Sequence, residues 1–265
     1  EADRMLDMGF IDAVKDIAAA IPRDRQTLLF SATLEGRVLK IADQLLKRPQ
    51  SIALVTNHDR HRSIRQHMHH ADSKAHKHKL LAHHLENGQL TKTLIFTSTK
   101  RGADQLAKTL RSMDHKSAAL HGDMSQNKRR QTVENLRKGR VEMLVATDVA
   151  ARGLDIKDIS HVINFDLPMV AEDYIHRIGR TGRAGATGCA ISLVGSADWQ
   201  KLSQIEKLTG RKINREVIEG LEPTSSEPKI EHGAKTNPKF KRKFGGISKG
   251  KGRQKPGHWR KDSSG

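Results

Sequence analysis

Between residues 93 and 208, short apolar runs alternate with amphipathic stretches, and this alternation admits few folds. Strands are predicted over 93–97, 117–120, 141–146, 161–165 and 188–194, and helices over 102–113, 125–138, 171–178 and 198–208. The strand segments are almost continuously apolar rather than alternating, as strands buried on both faces are. The helix over 102–113 turns Ala103, Leu106, Ala107 and Leu110 to one side, the spacing of an amphipathic helix. Ser125 suits the N-cap of the next helix. Repeated βα units of this kind predict an α/β fold with a parallel sheet and helices on both faces. Right-handed crossovers then gather the strand C-terminal ends on one edge, where ligands collect.

The preceding residues carry weaker signals. Residues 1–9 suit a strand end entering a turn. A helix is expected over 10–20, stopped by Pro22, then a short buried strand over 27–30. A further helix carries Val38, Leu39, Ala42, Leu45 and Leu46, and a strand follows over 51–55. Residues 56–62 are polar and without periodicity, as a linker is. This divides the chain into 1–55, the linker 56–62, a second domain over 63–220, and a tail over 221–265. Nine of the fifteen histidines fall between His58 and His84. Their spacing is irregular and no cysteine is near, so a metal site is set aside in favour of a structural or nucleic-acid-facing role. Ile64, Gln66 and Met68 alternate as in a strand, and Leu80, Leu81 and Leu85 mark a helix face with the histidines mostly opposite.

Charge narrows the function class. The net charge is +18, and residues 229–265 hold twelve Lys or Arg against two acids, with Phe240, Phe244 and Trp259 interspersed. Such a tail suits disorder, RNA phosphates and occasional base stacking. The single cysteine, Cys189, excludes an intramolecular disulfide. No apolar run approaches the ~18 residues of a membrane helix. A cytoplasmic protein with no membrane partner is expected.

Residues 174–185 read Tyr-Ile-His-Arg-Ile-Gly-Arg-Thr-Gly-Arg-Ala-Gly and place Arg177, Arg180 and Arg183 three residues apart. On a helix these share one side, and the glycines let backbone approach a ligand closely. Guanidinium forks match phosphate oxygens, so an anion is expected among the three charges.

Further stretches accompany this one. They are Leu-Val-Ala-Thr-Asp-Val-Ala-Ala-Arg-Gly-Leu-Asp-Ile over 144–156, His-Gly-Asp-Met-Ser-Gln-Asn-Lys-Arg over 121–129, Leu-Ile-Phe-Thr-Ser-Thr-Lys over 94–100, Ser31-Ala32-Thr33, and the opening Glu1-Ala2-Asp3. In this order they resemble the DEAD-box ATP-dependent RNA helicases, the bacterial members most closely. The resemblance covers residues 1 to about 220. It implies two RecA-like domains closing over ATP and RNA, with the end of the first and all of the second present here.

By that resemblance, Arg180 and Arg183 reach the γ-phosphate, and Gly153 and Asp155 meet the ribose of ATP. His176 touches the acidic motif of the first domain. Glu1 activates the attacking water, and Asp3 with Ser31, Ala32 and Thr33 couples nucleotide state to strand separation. Thr99, Gly122, Gln126, Arg129, Thr147 and Arg152 hold the RNA backbone without reading sequence. The implied cofactors are ATP and Mg2+, the metal-facing Asp lying before residue 1. RNA is the implied partner, with ribosome-assembly or RNA-turnover proteins besides.

The chain departs from the family in one serious way. It contains no Gly-x-x-x-x-Gly-Lys-Ser/Thr phosphate loop. An N-terminally incomplete sequence is therefore expected, with poor ATP binding and no hydrolysis by these residues alone. The alternative is a non-catalytic RNA-binding or chaperone module built from the second domain and the tail.

Overall fold

The computed structural model describes residues 1–31, 34, 36–52, 63–86, 90–154, 156, 158–183 and 186–228. Residues 1–224 form one compact unit. Its helices are α1 (Ala2–Asp7), α2 (Ile11–Ala20), α3 (Arg37–Leu45), α4 (Lys74–Glu86), α5 (Lys100–Ser112), α6 (Gln126–Arg137), α7 (Asp148–Ala151), α8 (Ala171–Ile178) and α9 (Trp199–Thr209). Its strands are β1 (Ile64–Ala71), β2 (Thr93–Phe96), β3 (Ser117–Leu120), β4 (Met143–Ala146), β5 (His161–Asn164), β6 (Gly188–Gly195) and β7 (Asn214–Arg215).

All seven strands form one parallel sheet, ordered β3-β4-β2-β5-β6-β1-β7. The period of two sorts the side chains between its faces. Ile95, Val145, Ile163, Ile191 and Leu193 pack beneath Leu80 and Leu81 of α4 and Ala103, Leu106 and Leu110 of α5. Leu94, Phe96, Leu144 and Val162 face the other way, against Leu136 and Ala150. Farther along that face Ile64, Met68, Ala190 and Val194 meet Tyr174 and Ile178 of α8 and Trp199 and Leu202 of α9. The α/β fold with helices on both faces is the one the alternation predicts. Past β7, Leu221 still packs on the core, and Thr224 donates to the Asp72 carboxylate over 2.7 Å.

The first segment differs from expectation. Residues 2–7 are helical, and 27–30 pair with none of the seven strands. Leu28 and Phe30 are 66% and 74% exposed. A lone apolar run lacks the partner strands that satisfy its backbone, so its propensity goes unused. Instead the Phe30 carbonyl accepts from the Ala2 amide over 3.0 Å. Residues 51 and 52 form no strand. The rest of that expected strand, the linker 56–62 and the basic run 229–265 lie outside the described residues.

Candidate functional site

Neighbouring strands with a common register bring their following loops to one height. Phe96, Ala146 and Leu120 are level across β2, β4 and β3. The loops that carry Thr99, Gly122 and Thr147 therefore leave side by side. Thr99 is exposed and caps α5, its Oγ1 accepting from the Gly102 amide over 3.0 Å. Gly122 and Gln126 are exposed, Gln126 in the first turn of α6. Thr147 precedes α7 and makes no side-chain cap to it. Arg129 donates to the Ala150 carbonyl over 3.3 Å, while its buried Nε has no hydrogen-bond partner. Five of the six expected RNA residues thus line one edge of the sheet.

The sixth, Arg152, is tied down. It ends α7 and donates to Asp173 Oδ1 over 3.1 Å. The same oxygen also pairs with Arg4 of α1. Arg4 and Asp173 are both buried. In a poorly solvated setting, two guanidiniums on one carboxylate form a strong tie. It links the first segment to α7 and α8. Sequence reasoning missed both Arg4 and Asp173. Asp173 could be read only as an ordinary acid in the first turn of a helix.

The arginine series begins on helix α8 with Arg177 and continues past its end with Arg180 and Arg183, and its three members do different work. Arg177 is 2% exposed. Its Nε and Nη2 reach the Asp148 carboxylate at 2.6 and 2.7 Å, and its Nη1 donates to the Asn164 side chain and the Asp166 carbonyl. The guanidinium also lies 4.7 Å from the centre of the Phe96 ring. The anion expected for Arg177 is thus Asp148, already in the chain, and four of the five guanidinium N–H groups are taken up within the fold. Arg180 makes one hydrogen bond, from Nη1 to the Leu154 carbonyl at 3.1 Å. Arg183 is exposed, with its Nε on the Gly179 carbonyl at 2.7 Å. These two keep donors for a ligand.

Arg180 and His176 face the start of the chain. Burial lowers the pKa of Arg180, the charge of Arg183 lowers it further, and Glu1 opposes both. Burial likewise lowers His176, opposed by Asp3 and Glu1 and reinforced by Arg4 and Arg180. Glu1 and Asp3 thus act electrostatically on His176, and Glu1 on Arg180. The Asp3 amide donates to Ser31 Oγ over 3.2 Å. Gly153, just after Arg152, has φ +66°, a left-handed conformation that favours glycine, and leaves exposed backbone there. Asp155, Ala32 and Thr33 lie outside the described residues.

Comparison with known proteins gives this geometry a context. Residues 75–185 match the family described as "Helicase conserved C-terminal domain", and residues 1–41 match "DEAD/DEAH box helicase". The chain is 45% identical over 230 residues to the ATP-dependent RNA helicase SrmB of Haemophilus influenzae, covering 86% of this chain and 52% of the relative. It is 42% identical to SrmB of Escherichia coli, with the same coverage. Among solved structures, E. coli DEAD-box protein SrmB bound to regulator of ribonuclease activity A matches with 42% identity and a TM-score of 0.60, covering 62% of this chain and 97% of that one. S. cerevisiae Dbp5 bound to RNA and ADP BeF3 matches with 36% identity and a TM-score of 0.73, covering 81% of this chain and 57% of that one. The chain thus spans about half the length of the SrmB helicases it matches.

Proposed function

The chain belongs to the DEAD-box family of ATP-dependent RNA helicases, and on that premise we propose that it supplies the second RecA-like domain, residues 63–220, and the end of the first, residues 1–55, of an RNA-stimulated ATPase that locally unwinds RNA. The observation that carries this reading is the convergence of Glu1 and Asp3 with His176 and Arg180. It sets the Glu1 carboxylate, suited to activating water, within electrostatic reach of the Arg180 guanidinium.

ATP supplies the transferable γ-phosphoryl group. Charge spreads over its oxygens in the transition state, and an arginine placed against them is worth ~10³–10⁵ in rate, or about 4–7 kcal/mol of barrier. Arg180 and Arg183 fit that task because, among the described residues, neither is neutralised by a carboxylate hydrogen bond, in contrast to Arg177. Glu1 serves as general base. His176 senses the acidic segment, and Asp3 with Ser31, Ala32 and Thr33 couples it to unwinding. Gly153 and Asp155 take the ribose. Mg2+ has no ligand assigned among these residues.

RNA lies along the edge that carries Thr99, Gly122, Gln126, Arg129 and Thr147, and Arg152 joins it by giving up its tie to Asp173. Hydroxyls, an amide, guanidiniums and backbone suit sugar and phosphate rather than base edges. Holding a bent single strand there is incompatible with pairing, which opens a short duplex without long translocation. The S. cerevisiae relative bound to RNA and ADP BeF3 supports both ligands. The SrmB complex with a regulator of ribonuclease activity favours partners in RNA turnover.

The test compares RNA-stimulated ATP hydrolysis by these 265 residues with that of the protein joined to a complete first domain. Turnover is expected only in the second. Absence of RNA stimulation there would leave the RNA-binding module as the reading, and turnover by the shorter chain would remove its expected inactivity.

A further inference from the structure

The histidine-rich stretch takes no part in the site above, yet the fold gathers three of its members. His67 and His69 lie two apart on β1, so both turn to the face that α4 covers. On α4, Lys77, Leu80, Leu81 and Leu85 point inward, and His84, seven residues past Lys77 and four past Leu80, shares that side. His84 is thus an exception to the expectation that the helix's histidines lie mostly opposite its apolar face. One ring nitrogen from each of His67, His69 and His84 lies within 4.8 Å of the other two. His67 and His69 are 4% and 2% exposed.

The surroundings favour ligation. The Glu216 carbonyl lies 2.8 Å from His69 Nδ1. A carbonyl only accepts, so Nδ1 carries the proton and Nε2 presents its lone pair on the other side of the ring. A backbone acceptor on the far ring nitrogen is the usual orienting contact of a metal-bound histidine. That Nε2 accepts a hydrogen bond from His84 Nε2 over 2.8 Å, and a metal would replace the shared proton. Two nitrogens on tetrahedral zinc, with Zn–N ~2.0–2.1 Å, stand about 3.3 Å apart; the His69–His84 pair would open by about half an ångström, and the His67 nitrogen, within 4.8 Å of both, would close in. His84 would carry its proton on Nδ1 instead. Burial also keeps the rings neutral, the form that ligates, holding His67 near 4 and His84 near 3. The Glu216 carboxylate, 3.6 Å from His67 Nε2 and part-exposed, flanks the open side.

We infer that His67, His69 and His84 form a three-imidazole site for a zinc-class divalent transition metal, on the β1–α4 face and apart from the nucleotide and RNA residues. Imidazole nitrogens suit zinc and its first-row neighbours and are poor ligands for magnesium or calcium.

The untagged chain, stripped with a chelator and dialysed, is titrated with Zn2+ against a chromophoric competitor, and with Co2+ for its ligand-field absorption. One saturable site per chain is expected, with Co2+ bands of a nitrogen-rich tetrahedral or five-coordinate ion. His84→Gln and His69→Gln should each weaken Zn2+ at least tenfold, and His115→Gln, outside the cluster, should not. Circular dichroism checks folding. If His69→Gln does not fold, the half-buried His84→Gln carries the comparison. The inference is overturned by wild type with no stoichiometric site, by Co2+ bands lacking nitrogen ligation, or by Zn2+ affinity unchanged in folded His84→Gln.

Discussion

Arg177 and Asp148 face each other fork to fork, with Nε and Nη2 at 2.6 and 2.7 Å from the two carboxylate oxygens. The pair pins α8 to the start of α7, and the third nitrogen ties both to the end of β5 through Asn164 and Asp166. Truncating one side of such a pair leaves a buried charge uncompensated and costs about 3–5 kcal/mol. Arg177→Ala should lower the unfolding free energy from urea titration by that amount, and Arg177→Lys should recover only part because an ammonium cannot span both oxygens. An unchanged midpoint for Arg177→Ala would mean the pair carries little of the fold.

Arg180, three residues on, should behave in the opposite way. It has one hydrogen bond to a carbonyl, so Arg180→Ala should cost only about 0.5–1.5 kcal/mol of stability. In the protein with a complete first domain it should lower RNA-stimulated ATP turnover by ~10³ or more while RNA affinity holds. A large fall in stability with normal turnover per folded molecule would make Arg180 a structural residue.

The tie of Arg4 and Arg152 to Asp173 predicts coupling between the two parts of the compact unit. Asp173→Ala leaves two guanidiniums together in a buried site. Amide protection of α1 should fall along with global stability, by about 3–5 kcal/mol. In a double-mutant cycle, Arg4→Ala and Asp173→Ala should show a coupling of at least ~1 kcal/mol. Additive effects would show that Arg4 and Asp173 touch without helping each other.

Strands β2 to β6 were legible because each holds a short apolar run between helical stretches, and β2, β3 and β5 fall within a residue of their expected bounds; β1 shows only an alternation, and the two polar residues of β7 give no signal. Residues 27–30 have the same apolar character but no partner strand among those described, so local pattern alone misassigns them. The division of labour among Arg177, Arg180 and Arg183 was not legible. Spacing puts the three together, but only tertiary packing brings Asp148 to the first. The His67–His69–His84 group escaped for the same reason, since β1 and α4 must pack before a pair of histidines on one and a single histidine on the other become one cluster.

Residues 229–265 carry a net +10 and should add a salt-dependent share to RNA binding. On single strands each phosphate contact contributes a slope of about −0.7 in log K against log salt. Deleting 229–265 should flatten that slope by several such increments and weaken binding most at low salt. An identical slope in the truncated protein would take the tail out of RNA binding.

Stability should fall on mild acidification, and the histidine cluster sets the sign. Burial lowers His67 and His84 from 6.5 to about 4 and about 3, and lowers His69 too. The charges of Arg65, His83 and His161 push down on members of the group, and Glu216 pushes His67 and His69 up. Between pH 6.5 and those lowered values, the unfolded chain binds protons at these positions that the folded one refuses. Their contribution is thus complete above pH 6.5 and is lost as pH falls, at up to ~1.4 kcal/mol per pH unit for each group. In chelator, the urea midpoint should be lower at pH 5.5 than at pH 7.5, and the drop should be shallower in His84→Gln. A midpoint that rises or stays level on acidification would mean that the cluster protonates without strain in the folded chain.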